Sequence, residues 1–133
     1  MAEKDAPYFS HDSNARDDTK MKGLLSVYKS EGYGYYWIIV ENLRNQTNFK
    51  LPINNYTLDD LAKQMQCRRI KAEKFLMDCI TEFKDEEGRG LFESDGTCFW
   101  SNSLNRRMQK YAEKKELAKK AAAARWGKND APA

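Results

Sequence analysis

The fold of this 133-residue chain is decided by residues 57–101, which read TLDDLAKQMQCRRIKAEKFLMDCITEFKDEEGRGLFESDGTCFWS. Apolar residues recur at the spacing of one helical face directly after Thr57, which is a favourable N-cap residue. A break at Gln66 separates this helix from a second one with its own apolar face. We expect Gly88 and Gly90 to end the second helix.

The remainder of this stretch predicts a β-hairpin. Two short apolar runs, 91–93 and 98–100, flank residues 94–97, which contain Asp-Gly, and this is the strongest short-range hairpin signal. Upstream, Phe49–Ile53 is predicted to be a short edge strand, where Pro52 is tolerated. Because Phe99 and Trp100 alternate faces, one should point into the core and the other outward. Helix, turn, helix and hairpin predict a mainly α fold, a winged helix-turn-helix whose second helix can enter a DNA major groove.

Two further helices are expected before this stretch. The first begins at Asp17–Asp18 and runs to about Ser30. Gly32 and Gly34 are then expected to interrupt the helical chain. The apolar segment from Tyr35 onward continues a 3.6-residue pattern, which favours a buried central helix over a strand.

After the hairpin, the sequence predicts a long basic helix from about Leu104 to Trp126. Asn102 or Ser103 is expected to cap it, and Gly127 is expected to end it. Alanine and lysine dominate its second half, which gives high helix propensity with little to bury.

Charge divides the chain unevenly. Residues 102–133 hold nine Lys and Arg against three Asp and Glu, and residues 1–101 hold fourteen against seventeen, so net charges of +6 and −3 sum to the overall +3. A basic extension on a mildly acidic body is typical of a nucleic-acid-binding arm. We divide the chain into a flexible lead-in (1–12), a winged-helix domain (13–113) and a basic helical tail or linker (114–133).

Composition argues against several other classes of protein. No apolar run reaches the roughly 18 residues of a membrane span, and the N-terminus lacks the apolar core of a signal peptide, so a cytoplasmic location is expected. Cys67, Cys79 and Cys98 are widely spaced and only one histidine is present, so neither a zinc site nor another cofactor is expected.

The expected DNA contacts are basic residues of the second helix, the hairpin base and the tail. Cations in the first turn of a helix oppose its dipole, and a nearby phosphate or base edge would explain them. The alternative is an ordinary solvated face. The candidate residues are Arg68, Arg69, Lys71 and Lys74 in the second helix, Arg89 at the hairpin base, and Arg106, Arg107, Lys110, Lys114, Lys115, Lys119 and Lys120 in and before the tail.

The N-terminal third also resembles a known family. The residues that carry the resemblance are Tyr8-Phe9-x-His11-Asp12, Ala15-Arg16-x-Asp18, Met21, Leu24, Tyr28, Glu31-Gly32-Tyr33-Gly34-x-Tyr36-Trp37 and Glu41. This pattern is similar to the opening of the N-terminal domain of phage and prophage replisome organisers, replication-initiation proteins whose C-terminal part is often DnaD-like. The resemblance continues more weakly to about residue 110, and the KAAAARW segment is similar to linkers that follow this domain.

The resemblance implies a winged-helix fold and a role in origin binding or helicase loading in the bacterial host, without catalytic residues. Double-stranded DNA is then the expected partner, and the replicative helicase, other replication proteins and a second copy of the chain are left open. His11, Asp12 and Arg16 are expected to be structural. The competing hypothesis is a protein-interaction module that dimerises or inhibits another protein, which the acidic run 85–87 beside the hairpin favours.

Overall fold

The computed structural model describes residues 18–129 of the chain, and these residues are mainly helical with a small sheet. The predicted lead-in and the residues His11, Asp12 and Arg16 lie outside the described residues. The elements are α1 (Thr19–Arg44), β1 (Lys50–Pro52), α2 (Asn55–Met65), α3 (Arg69–Thr81), β2 (Glu93–Ser94), β3 (Cys98–Trp100) and α4 (Asn102–Asn129).

The two helices predicted before residue 45 form one kinked element, α1. Asp18 caps its start by accepting a hydrogen bond from the Lys20 backbone N–H, at 2.9 Å. The predicted end of the first helix at about Ser30 agrees with the break, which lies at Lys29 with φ 61° and ψ −158°. The prediction that Gly32 and Gly34 interrupt the chain is wrong, because both are helical. Gly32 instead permits close packing, since a Cβ at that position would collide with the side chain of Tyr28.

The two helices predicted for this stretch, α2 and α3, are present, but their limits differ from those predicted. Asn54, not Thr57, is the N-cap of α2, and its Oδ1 accepts a hydrogen bond from the Thr57 backbone N–H at 2.9 Å. Gln66 ends α2 in the left-handed region, with φ 57°. The prediction that Gly88 and Gly90 end α3 is wrong, because α3 ends at Thr81 and a separate loop follows it.

The three strands form an antiparallel sheet in the order β1-β3-β2. The predicted edge strand is confirmed as β1, so Pro52 lies where its missing N–H is tolerated. Phe99 is fully buried and its neighbour Trp100 is partly exposed, which confirms the predicted alternation. Lys50, which is opposite Trp100 in the register, places its Nζ 4.8 Å from the centre of the indole ring.

Aromatic side chains join α1 to the rest of the core. Tyr36 stacks on Phe92, with ring centres 5.4 Å apart, and Phe92 contacts Phe99 edge-on at 5.7 Å. Tyr28 and Tyr35 both contact Phe75 of α3 edge-on, at 4.9 and 5.4 Å. The second half of α1 therefore packs against α3 on one side and against the sheet on another, as expected of a central helix.

The chain divides into two compact units at Leu104–Asn105. Leu104 is fully buried, and its backbone N–H donates to Ser101 Oγ at 3.0 Å. Ser101 therefore caps α4, and the prediction of Asn102 or Ser103 is wrong; the helix also continues past Gly127 to Asn129. The domain limits at residues 13 and 113 stay a prediction. Among residues 18–129, no helix is long and apolar enough to cross a membrane.

Gly90 and Gly34 give a matched pair of glycine substitutions. A Cβ on Gly90 would lie 2.8 Å from the carbonyl oxygen of Ile80, whereas a Cβ on Gly34 would meet nothing within 4 Å. Gly90→Ala should therefore lower the free energy of unfolding by about 1–3 kcal/mol through overpacking against backbone. Gly34→Ala should raise it by about 0.5–1 kcal/mol, because alanine favours a helix interior. Urea denaturation of both variants checks this, and equal effects would contradict the packing around Gly90.

Candidate nucleic-acid interface

Helix α3, which follows α2 after a short turn, buries one face and exposes the other. Ala72, Phe75, Leu76 and Cys79 form the buried face. By the 3.6-residue period, the side opposite these residues carries Ile70, Lys74 and Met77. Ile70 and Met77 are 76% and 39% exposed, although both are large and apolar. Among the described residues, the outer face of α3 is thus a free surface of mixed chemistry.

Arg69, in the first turn of α3, is held by the N-terminal end of α2. Its Nη2 donates to Asn55 Oδ1, and its Nε lies 3.5 Å from Asp59 Oδ1. Both partners belong to the preceding helix, so this guanidinium links the two helices across the turn. A phosphate would have to compete with these two side chains in order to engage Arg69.

Lys71 is held in the same way by α1. Its Nζ donates to Glu31 Oε1 at 2.6 Å and lies 5.5 Å from the centre of the Tyr35 ring. The hydrogen bond between them lowers the pKa of Glu31 and raises that of Lys71. Both side chains therefore stay charged around neutral pH, and Lys71 is oriented toward α1.

Lys74 belongs to a network that joins α3 to the first half of α1. Its Nζ donates to Asp78 Oδ2 at 2.9 Å, and Tyr28 Oη donates to the same oxygen at 2.5 Å. Burial, followed by the hydrogen bond to Asp78, raises the pKa of the Tyr28 hydroxyl well above its usual value. Lys74 itself is 71% exposed, so its ammonium group remains accessible.

Two of the basic residues at the N-terminal end of α3, Arg69 and Lys71, therefore have partners on other helices. Glu31 and Asp59 supply the negative charge that α3 lacks in its own first turn. A bound anion is not needed to explain Arg69 or Lys71.

Arg68 differs from these two residues. It occupies the N-cap position of α3 without a side-chain capping bond and is exposed. Within residues 18–129 its guanidinium has no hydrogen bond or ion pair.

Arg89, the predicted contact at the hairpin base, is also paired. Its Nε donates to Asp85 Oδ2 at 3.0 Å and its Nη2 to Glu87 Oε1 at 3.0 Å. The backbone N–H of Arg89, with the side chain, lowers the pKa of Asp85, and the ion pair raises that of Arg89. The acidic run 85–87 is thus partly neutralised by Arg89 within its own loop.

Asp95, at the hairpin tip, stabilises the turn. Its Oδ1 accepts hydrogen bonds from the backbone N–H groups of Thr97 and Cys98, both at 2.8 Å. The Cys98 N–H, followed by that of Thr97, lowers the pKa of Asp95. Gly96, which lies between Asp95 and Thr97, has φ 91°, a backbone conformation that only glycine adopts readily. Asp95 and Gly96 therefore favour the turn for different reasons: the Asp95 carboxylate accepts two backbone hydrogen bonds, and Gly96 adopts the positive φ.

The remaining predicted contacts lie on α4, which forms a unit of its own from Asn105. Arg106, Lys110 and Lys114 recur every four residues and therefore lie along one side of the helix. By the same period Arg107 also lies on this side and Lys120 lies at its edge, whereas Lys115 and Lys119 lie on the opposite side. Within residues 18–129, no group of three His, Cys, Asp or Glu side chains could hold a metal ion.

Among residues 18–129, four helices and a three-stranded antiparallel sheet define a mainly helical domain, consistent with a winged helix-turn-helix arrangement. Residues 8–104 match the model of the family described as Lin1244/Lin1753-like, N-terminal. This match covers well over half of the chain, and the chain belongs to that family. No curated protein and no solved structure gives a match.

The hairpin tip gives a test of the role of Asp95. Asp95→Ala should lower the melting temperature by several degrees, because two backbone N–H groups lose their acceptor. Since the folded chain lowers the pKa of Asp95 below the ordinary value of ~3.9, this contribution should be complete above about pH 4 and disappear as the pH falls through the lowered value. Glu86→Ala, which removes an exposed acid from the loop before the hairpin, is the control. Equal melting temperatures for both variants at pH 7 would contradict the capping role.

Proposed function

We propose that this chain is a non-enzymatic DNA-binding domain of the winged-helix type. The observation that carries the proposal is a pair of helices, α2 and α3, followed by a hairpin, with the outer face of α3 exposed among the residues that the structure describes. In this arrangement the second helix is the element that enters a major groove, with its N-terminal residues nearest the base edges. Arg68 and Ile70 are at that end of α3.

Two sources of positive charge support the proposal. Arg68 has no partner among residues 18–129, so it can donate to a phosphate or a guanine without first breaking an ion pair. The basic residues of α4, within a segment of net charge +6, supply sequence-independent attraction to phosphates. Arg69, Lys71 and Arg89 support it less, since each is engaged by a carboxylate of the chain itself.

We further propose that this DNA binding serves replication initiation from a phage or prophage, at origin binding or helicase loading. The support is the resemblance of the segment from Tyr8 to Glu41 to replisome organisers. A replicative helicase or another replication protein would then be the protein partner.

The second candidate function is a protein-interaction module. Its specific support is the pairing of three cations of α3 with acids, together with the exposed side chains of Ile70 and Met77. Fluorescence anisotropy with a random duplex at two salt concentrations separates the candidates. A DNA-binding domain should bind at low salt and lose affinity steeply as salt rises, whereas an interaction module should show neither response.

Arg68 and Arg69 provide a matched pair for testing sequence readout. After selection of preferred sequences from a random pool, Arg68→Ala should reduce discrimination between the preferred and a random duplex, by roughly 1–3 kcal/mol if the contact is bidentate to guanine. It should leave the melting temperature unchanged. Arg69→Ala should lower the melting temperature, because the substitution removes the link to Asn55 and Asp59 of α2. If Arg68→Ala binds and discriminates like the parent, Arg68 does not read bases.

The tail provides a separate electrostatic test. Replacing Lys114, Lys115, Lys119 and Lys120 by Gln should leave the melting temperature of the 18–104 unit unchanged. The slope of log K against log salt concentration should become shallower by roughly 0.9 for each phosphate that is no longer neutralised. Anisotropy titrations at several salt concentrations measure this slope. An unchanged slope would show that these lysines do not contact DNA, and a loss of folding would show that they stabilise the core.

A further inference from the structure

The outermost position in the first turn of α3 carries an apolar side chain among basic residues. Ile70 is 76% exposed, and Arg68, Arg69 and Lys71 lie within two residues of it. A single exposed apolar side chain is ordinary on a protein surface. Its significance here depends on where the neighbouring side chains point.

The two immediate neighbours of Ile70 are directed away from it. Arg69 reaches Asn55 and Asp59 of α2, and Lys71 reaches Glu31 of α1. Successive residues of a helix point about 100° apart, so these two side chains lie on either side of Ile70. Among the described residues, the outer line of α3 therefore leaves Ile70 exposed between two side chains that are directed elsewhere.

We propose that Ile70 reads thymine, by contact with the 5-methyl group in the major groove. This inference rests on the proposed function, because it assumes that α3 enters the groove. The thymine methyl is the principal apolar group on the major-groove edges of the bases, and apolar side chains contact it directly. Ile70 lies in the N-terminal turn of the second helix, the part of a helix-turn-helix that reaches base edges.

The surroundings of Ile70 fit DNA better than a protein partner. Ile70 and Met77 are separated by two helical turns, roughly 10 Å at ~1.5 Å per residue. Glu73 and Lys74, both exposed, lie between them. These residues do not form the continuous apolar centre that a protein interface buries. A single exposed apolar group instead suits contact with a single methyl group on a base edge.

The test uses the full chain and the duplex that it selects from a random pool. Each thymine of that duplex is replaced in turn by deoxyuridine, which removes only the methyl group. We expect the parent protein to lose affinity about fourfold at one position, the change that one buried methyl group produces. Ile70→Ala should lose this response at the same position, and Ile70→Val should keep it.

Met77→Ala is the matched control, since Met77 is also an exposed apolar residue of α3. Met77→Ala should bind the duplex and respond to deoxyuridine as the parent does. Ile70→Ala and Met77→Ala should both keep the parent's melting temperature. The inference is overturned if the deoxyuridine response persists in Ile70→Ala or also disappears in Met77→Ala. It is also overturned if the parent shows no response.

Other outcomes separate this inference from the proposed function. Sequence-selective binding without any effect of deoxyuridine would overturn the role of Ile70 and leave DNA binding standing. An absence of duplex binding by the parent would overturn both. Sedimentation measures the self-association of Ile70→Ala. If self-association changes while the deoxyuridine response does not, Ile70 makes a protein contact and the inference is overturned.

Discussion

The orientation of α3 depends on the burial of Phe75. This ring is fully buried and is contacted edge-on by Tyr28 and Tyr35, which lie on opposite sides of the kink at Lys29 in α1. Large aromatic side chains contribute much of the burial energy of a small core. Once Phe75 is fixed, the helical period determines that Ile70 points outward and that Arg69 and Lys71 lie at the sides of the helix.

The kink in α1 allows Tyr28 and Tyr35, one on each side of it, to contact the same Phe75 ring. The backbone of Lys29 is in a region that non-glycine residues rarely occupy, at a cost of roughly 1–3 kcal/mol. Gly32 lets the two halves of α1 approach closely, and Tyr28 then reaches both Phe75 and the carboxylate of Asp78. The strained residue is thus compensated by packing and by a hydrogen bond between α1 and α3.

Electrostatics then determines which cations remain available to a partner. The N-terminal end of α3 receives negative charge from Glu31 and Asp59, which offsets the unfavourable placement of cations near the positive end of the helix dipole. Asp85 similarly forms an ion pair with Arg89. The proposed interface of the first unit therefore relies on Arg68 and Ile70 more than on the hairpin.

Local chemistry in the sequence was sufficient to predict the two helices α2 and α3, the hairpin at Asp95-Gly96 and the edge strand containing Pro52, because each depends on residues a few positions apart. The end of the first helix near Ser30 was also predictable, but the helical conformation of Gly32 and its close packing against Tyr28 were not. The partners of Arg69 and Lys71 were not predictable either. Lys71 meets Glu31 across 40 positions of the chain. Only the tertiary structure brings such groups together, so the sequence determined which residues are basic, and the packing of α1, α2 and α3 decided which cations of α3 pair with an acid of another helix.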